Sequence, residues 1–308
     1  MIRIGVIGVG KIARDRHLPS IAASAEFVLA GLADPGGAPP EVYPSHAAMF
    51  AAVPEMDAVA ICTPPSVRFA VACDALAAGR HVLLEKPPAA GLGELEALRR
   101  LAASHGRVLF TAWHSQHNDA VAEAGRVLAG KAVARVQVTW REDFRKYHPG
   151  QRWIWQAGGF GVFDAGINAL SILSRILPGR LHVRAADLFV PADCAAPIRA
   201  TLQLGADGPG IFAAELDWNG NGAEQREIEV DTACGMRLRL TQSGGRLELD
   251  GREVVGGTRS EYPMLYARFA ALIAAGTSAV DAEPLWMVAD AFLLGHRIGV
   301  APISLQDG

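Results

Sequence analysis

The sequence predicts an α/β chain of two parts: a doubly wound parallel sheet, then an α+β domain built on a large, mostly antiparallel sheet. Three observations predict it. A glycine-rich turn, Gly8-Val9-Gly10-Lys11-Ile12-Ala13, completes and follows an apolar run, IRIGVIG at residues 2–8. Strand-like and helix-like stretches then alternate as far as Ala112. Near Trp113 that rhythm stops, and apolar and polar residues begin to alternate in runs separated by turn dipeptides. Alternating strands and helices imply a parallel sheet covered on both faces. Period-two runs joined by tight turns imply an antiparallel sheet with one face toward water. The expected division is residues 1–113 and 114–308.

Composition narrows the class. A chain of 308 residues, 50% hydrophobic and 20% charged, has the make-up of a globular protein with room for two cores. A net charge of −3 without a basic block points away from nucleic acid and from anionic membranes. No apolar run is long enough to span a bilayer, and no signal-peptide pattern precedes the first strand, so a cytoplasmic protein is expected. Cys62, Cys73, Cys194 and Cys234 are scattered without a CxxC pair, as expected of reduced thiols and not of a zinc site.

In the first part, the glycine turn carries the chemistry. Gly8 permits the tight turn, Gly10 lets a pyrophosphate approach the backbone, and Ala13 lets the helix pack close to the sheet. Lys11 and Ile12 open that helix, whose N-terminus faces the phosphates. This is the Rossmann fingerprint, and it implies NAD or NADP. The next strand, Phe27–Ala33, ends in Asp34, placed to accept bonds from the adenosine ribose hydroxyls. A carboxylate there repels a 2′-phosphate. Pro35-Gly36-Gly37-Ala38 offers no Arg or Lys to neutralise one, so NAD is the preferred reading. A strand at Ala58–Cys62 is closed by Thr63-Pro64-Pro65, and Val67–Ala78 is helical. The run His81–Leu84 is a buried strand, followed by Glu85-Lys86-Pro87-Pro88. Proline fixes its own φ and drives the preceding residue toward extended conformations, so Lys86 sits on a stiff hinge. It lies at the C-terminal end of a strand, where open α/β sheets bind ligands. Leu95, Leu98 and Leu101 share one face of a helix over Leu92–Ser104, and Val108–Ala112 is the next strand.

In the second part, a helix is expected over about Asn118–Ala129. Val136, Val138 and Trp140 then alternate with polar residues. Strands are expected at Arg199–Leu204, Ile211–Trp218, Arg226–Thr232, Met236–Thr241 and Arg246–Leu249. Asn219-Gly220, Cys234-Gly235 and Ser243-Gly244 mark the turns, and two helices, about Tyr262–Ala275 and Pro284–Val300, close the chain. Asp164 and Asn168 stand four residues apart, on one face of any helix within Gly159–Leu177. The loop from Glu142 to Trp155 is rich in aromatics. Trp153 and Trp155 suit the C–H face of a sugar ring, and Glu142, Asp143 and His148 suit its hydroxyls, although a packed loop explains each Trp equally well. Trp218, at a strand end, is a further candidate. His114 and His117 with Asp119 suit a metal poorly, because no third ligand has helical spacing.

The GxGxxA start, Thr63-Pro64-Pro65, Glu85-Lys86-Pro87 and the Gly158–Asn168 segment, in this order, resemble the Gfo/Idh/MocA oxidoreductase family. More narrowly, Trp140-Arg141-Glu142-Asp143, His148–Trp155 and Gly158–Ser171 are similar to bacterial aldose 1-dehydrogenases of the L-arabinose and D-galactose type. The resemblance implies oxidation of a pyranose C1 to the lactone with NAD or NADP. The alternatives are another sugar or polyol dehydrogenase of the family, of inositol or glucose–fructose type, or a non-catalytic sugar or cofactor sensor. It implies Lys86, Asp164 and Asn168 in catalysis. Gly8, Gly10, Lys11, Ile12, Asp34, Thr63, Pro64, Glu85 and Lys86 are implied at the cofactor. His114 is implied at the sugar, where Glu142, Asp143, His148, Trp153, Trp155, Asp164, Asn168 and Trp218 are the candidates read from the residues themselves; the free face of a broad antiparallel sheet suggests a homodimer through it. The family usually carries His where this chain has Asn168. An amide does not titrate, so proton removal passes to Lys86, Asp164 or water. Lys86 with Asp164 as its partner, or the reverse, is the expected acid/base centre.

Overall fold

The computed structural model describes residues 1–37, 41–206, 209–220, 222–257 and 261–303. Ala38, the end of the stretch that follows Asp34, lies outside them. By internal packing the chain divides into two units, Met1–His114 with Ser260–Ala282, and Ser115–Arg259 with Glu283–Gly308.

The first unit is a five-stranded parallel sheet in the order β2-β1-β3-β4-β5. Its strands are β1 (Ile2–Ile7), β2 (Phe27–Ala33), β3 (Ala58–Ile61), β4 (His81–Glu85) and β5 (Leu109–Ala112). Helices α1 (Leu18–Ala22), α2 (His46–Ala52), α3 (Pro65–Ala77) and α4 (Leu92–Ser104) make the crossovers. Strand β3 is buried at every position, as the apolar run requires of a central parallel strand. Because the strands run parallel, Gly8, Asp34, Thr63, Lys86 and Trp113 all fall along one edge of the sheet. The helix Glu261–Ala275, from far along the chain, belongs to this unit. Its Tyr262, Leu265, Tyr266, Phe269 and Leu272 recur at helical spacing and join Ile4, Val6, Phe27, Leu83 and Phe110 in one core. Phe269 stacks on Phe27 and on Phe110, with centroids 5.9 and 6.0 Å apart.

The second unit is a nine-stranded sheet in the order β13-β12-β11-β10-β6-β9-β8-β7-β14. Its strands are β6 (Val133–Arg141), β7 (His182–Pro191), β8 (Arg199–Gly205), β9 (Ile211–Asp217), β10 (Gln225–Thr232), β11 (Arg237–Thr241), β12 (Arg246–Leu249), β13 (Arg252–Val255) and β14 (His296–Val300). All neighbours are antiparallel except β6 with β9 and β7 with β14. Helices α5 (Asp119–Leu128), α6 (Phe144–Tyr147) and α7 (Phe163–Ile176) come from the same unit, and α7 is buried along most of its length. In β6, Val136, Val138 and Trp140 point inward and alternate with Arg135, Gln137, Thr139 and Arg141, as the period-two pattern predicts. The other face carries cross-strand ion pairs such as Arg141–Glu215 and Arg239–Glu227. Each contributes little, so the apolar face holds the sheet together.

Strands β7, β13 and β14 depart from the sequence reading, and the helix Glu261–Ala275 falls in the first unit and not with residues 114–259. The helix expected over Pro284–Val300 ends at Leu294; Gly295 interrupts it, and His296–Val300 pairs with β7 as an edge strand. Strand β7 was not anticipated. A register shift between Val183 and Ala185 breaks its alternation, so its buried positions do not fall at a strict period of two. Among the described residues no helix is long and apolar enough to cross a membrane.

Candidate active site

At the sheet edge of the first unit, Gly8 has φ +89°, and a Cβ there would lie 2.8 Å from the Thr63 nitrogen. Only glycine lets β1 turn this close to the end of β3. A Cβ on Gly10 would meet nothing within 4 Å, which leaves open space in front of that backbone. The Asp34 carboxylate accepts bonds from the backbone N–H groups of Val9, at 2.9 Å, and Gly36, at 3.2 Å. It is thereby drawn to the glycine turn. Lys11 pairs with Asp15 on the exposed side, and Ile12 packs partly into the core. The Thr63 hydroxyl is buried with no hydrogen-bond partner among the described residues, and Pro64 precedes the first turn of α3. Space before Gly10, a carboxylate at the ribose position and an unsatisfied hydroxyl fit a dinucleotide. Replacing Asp34 with Ala and Pro35 with Arg together is expected to raise the NADP-to-NAD ratio of kcat/KM by about tenfold or more. An unchanged ratio removes Asp34 from the site.

The Glu85–Lys86 junction is held from both sides. Arg68, buried on α3, donates to the carbonyls of Glu85 (2.5 Å), Pro87 and Thr63. The Lys86–Pro87 peptide is cis. The Glu85 side chain turns inward. Its Oε2 accepts the Lys86 N–H at 2.7 Å, and its Oε1 accepts the Tyr262 hydroxyl at 2.6 Å and faces His17 Nε2 at 3.0 Å. Burial pushes the Glu85 carboxyl up. The hydrogen bond and charge of His17, the charge of His114 and the Tyr262 hydroxyl more than offset this and bring it down to about 2. Stability from this group is therefore present above pH 4.5 and lost as pH falls toward 2, on the order of 3 kcal/mol. Urea unfolding between pH 4.5 and 2.5 is expected to show a steeper loss of stability in the wild type than in Glu85→Gln. Parallel losses would contradict it. Arg68, His17 and Tyr262 are not marked by any motif; only packing brings them to the junction. His114 Nδ1 lies 2.5 Å from Glu261 Oε2, with its ring stacked on Tyr262 at 5.3 Å.

The second unit carries the other cluster. Helix α7 contains both Asp164, in its first turn, and Asn168, so the four-residue spacing does place them one turn apart. Asp164 is buried, and its Oδ2 lies 3.5 Å from His148 Nε2. His148 Nδ1 in turn lies 3.2 Å from Gln151 Oε1, which orients the ring. Asp143 caps α6 by accepting the Arg145 N–H at 2.9 Å, and the His148 N–H closes that helix onto the Phe144 carbonyl. The Trp218 ring lies 5.0 Å from His148 and 5.7 Å from Trp155, which meets Phe144 edge-on at 4.9 Å. Trp218 is fully buried, yet its indole N–H has no partner among the described residues. Trp155 is also buried, so most of its area goes into this aromatic cluster, and Trp153 is half-buried. The buried Glu142 carboxylate has Trp140 Nε1 and Arg226 Nε at 2.8 Å each. Arg226 is a partner that spacing did not reveal. Among the described residues no group of three or more His, Cys, Asp or Glu could hold a metal ion.

A dinucleotide fold with a lysine at the sheet edge, and a second unit with half-buried His148 against buried Asp164 and Trp218, are the build expected of a nicotinamide-dependent oxidoreductase. The model of the Gfo/Idh/MocA oxidoreductase family, NAD-binding Rossmann fold, matches residues 2–113. Galactose 1-dehydrogenase of Pseudomonas fluorescens is 42% identical over 302 residues, 97% of this chain and 97% of that protein. The crystal structure of D-galactose-1-dehydrogenase from Rhizobium etli matches with a TM-score of 0.93 at 45% identity, over 98% of this chain and 97% of that one. A 3-ketoreductase from Actinomadura kijaniata in complex with TDP-benzene and NADP shares the fold, with a TM-score of 0.83 at 19% identity over 97% and 99% of the two chains. The chain belongs to the Gfo/Idh/MocA oxidoreductase family.

Proposed function

We propose that this protein oxidises the anomeric C1 of an aldopyranose of the D-galactose or L-arabinose class to its lactone, with NAD preferred over NADP. The observation that carries the proposal is the set of half-buried His148 with buried Asp164 and Trp218, with Asn168 one turn on, in a chain 42% identical to a galactose 1-dehydrogenase. When bound, the nicotinamide supplies the hydride acceptor. Gly8 and Gly10 leave room for its pyrophosphate, and Asp34 binds its ribose. Lys86 takes the proton of the C1 hydroxyl while the C1–H pair leaves as hydride, so C1 gains a carbonyl and the lactone forms. Asp164, oriented by His148, accepts a bond from a sugar hydroxyl. Asn168 fixes a second hydroxyl without titrating, and the Trp218 indole N–H donates to a sugar oxygen, which removes the cost of a buried unpaired donor. In the alternative assignment Asp164, 3.5 Å from His148 Nε2, is the acceptor in place of Lys86. His114, Glu142, Asp143, Trp153 and Trp155 complete the sugar contacts in this reading.

A homodimer through the face of the second sheet opposite its core is part of this reading, since a broad sheet with one free face offers a self-complementary surface. The free thiols fit a reducing, cytoplasmic setting. The test is absorbance of the reduced nicotinamide with NAD⁺ or NADP⁺ and a panel of aldoses. Turnover with D-galactose or L-arabinose, faster with NAD⁺, is expected. NAD⁺ binding with no aldose turned over would contradict the proposal and favour a polyol substrate or a sensor.

A further inference from the structure

Below the Glu85–Lys86 junction lies a buried polar group that the proposed reaction does not use. We propose that His17, seated by Tyr266 and assisted by Tyr262, balances the Glu85 carboxylate and thereby sets the position of the neighbouring Lys86 and the pH dependence of the turnover that passes through it. The inference rests on the reading of Lys86 as proton acceptor, and makes His17 a positioning residue.

The geometry carries it. His17 is fully buried in a single π-helical turn, Ala13–His17, that follows the glycine motif. Such turns are rare and recur at functional sites, because the extra residue re-aims a side chain. Here the ring is aimed at the end of β4. Its Nε2 lies 3.0 Å from Glu85 Oε1 and its Nδ1 lies 2.8 Å from the Tyr266 hydroxyl. The same Glu85 carboxylate holds the Lys86 N–H through its other oxygen. One carboxylate thus joins the imidazole to the backbone of the lysine, while Arg68 fixes the adjoining carbonyls.

The charges decide what this does. The groups that face the pair are Cys62 from the end of β3, His114 after β5, and Tyr262 and Tyr266 from the Glu261–Ala275 helix, with Glu261 beside Tyr262. Burial opposes charge on His17, but Cys62, Tyr266 and Glu85 more than offset it and raise its pKa well above the ordinary imidazole value. The raised imidazole thus favours a cation opposite the Glu85 carboxylate. Loss of the imidazolium leaves the carboxylate that holds the Lys86 N–H buried with its charge unbalanced, and that charge disfavours removal of positive charge from its surroundings at the end of β4. A purely structural role would lower stability and leave the pH dependence of turnover where it was.

The test compares kcat against pH for the wild type, His17→Gln, His17→Gln with Glu85→Gln, and Tyr262→Phe, using the aldose and cofactor that the panel identifies. Lys86→Ala serves as reference, and NAD⁺ affinity is measured by fluorescence titration. In His17→Gln the acidic limb is expected to move up by about one pH unit and return in the double variant, with NAD⁺ affinity within about threefold. A limb that superimposes on the wild type, or one that stays displaced in the double variant, would overturn the inference. Should His17→Gln fail to fold, Tyr262→Phe keeps the ring and removes one hydroxyl from Glu85. A smaller shift of the limb in the same direction is expected there, and no shift would overturn the proposal. Full turnover in Lys86→Ala would overturn the lysine reading and this inference with it. A dead Lys86→Ala with an unmoved His17→Gln limb sinks only the latter.

Discussion

Lys86→Ala is expected to lower kcat by about 10³- to 10⁴-fold and to leave NAD⁺ affinity within about threefold. Removal of a positioned base costs a factor of this size when no other group lies in reach of the proton. The substitution spares the fold of the junction, because Glu85 binds the backbone N–H of residue 86 and Arg68 binds the carbonyls on either side. Those contacts persist with alanine, so a loss of turnover reports on the amine. Steady-state kinetics and a binding titration on the same preparation separate the two effects. Equal loss of both would remove Lys86 from catalysis and make it a cofactor ligand.

Asp164→Asn is the second large effect, with kcat/KM expected to fall by about 10²- to 10³-fold. The amide fills the same space at the start of α7 but carries no charge, and His148 loses the carboxylate 3.5 Å from its Nε2. A fall mainly in KM would assign Asp164 to holding the sugar. A fall in kcat larger than that of Lys86→Ala would make Asp164 the proton acceptor. Thermal unfolding controls for the α7 terminus, whose first turn is buried.

Much of the parallel half was legible because its signals are local. Apolar runs mark buried strands, glycines mark the turn beside β3, and prolines mark strand ends. Asp164 and Asn168 were legible as a pair because helical period alone places them one turn apart. What stayed hidden depends on packing. His17 and Glu85 are 68 residues apart, and the tyrosines that complete their network come from a helix near the far end of the chain. Arg68 looks like any helical arginine until its three carbonyl partners are seen. His148 and Asp164 were each recognised as candidates, yet their contact depends on the folding of the loop between them. Strand β7 was hidden by its bulge, and β14 because it follows a helix after one glycine.

The most direct measurement uses D-galactose carrying deuterium at C1, NAD⁺ and the purified protein, with the reduced cofactor examined by NMR. Deuterium at nicotinamide C4, with galactonolactone as the co-product, is the expected result. Reduced cofactor without the label, or labelled galactose recovered unchanged beside bound NAD⁺, would contradict oxidation at the anomeric carbon.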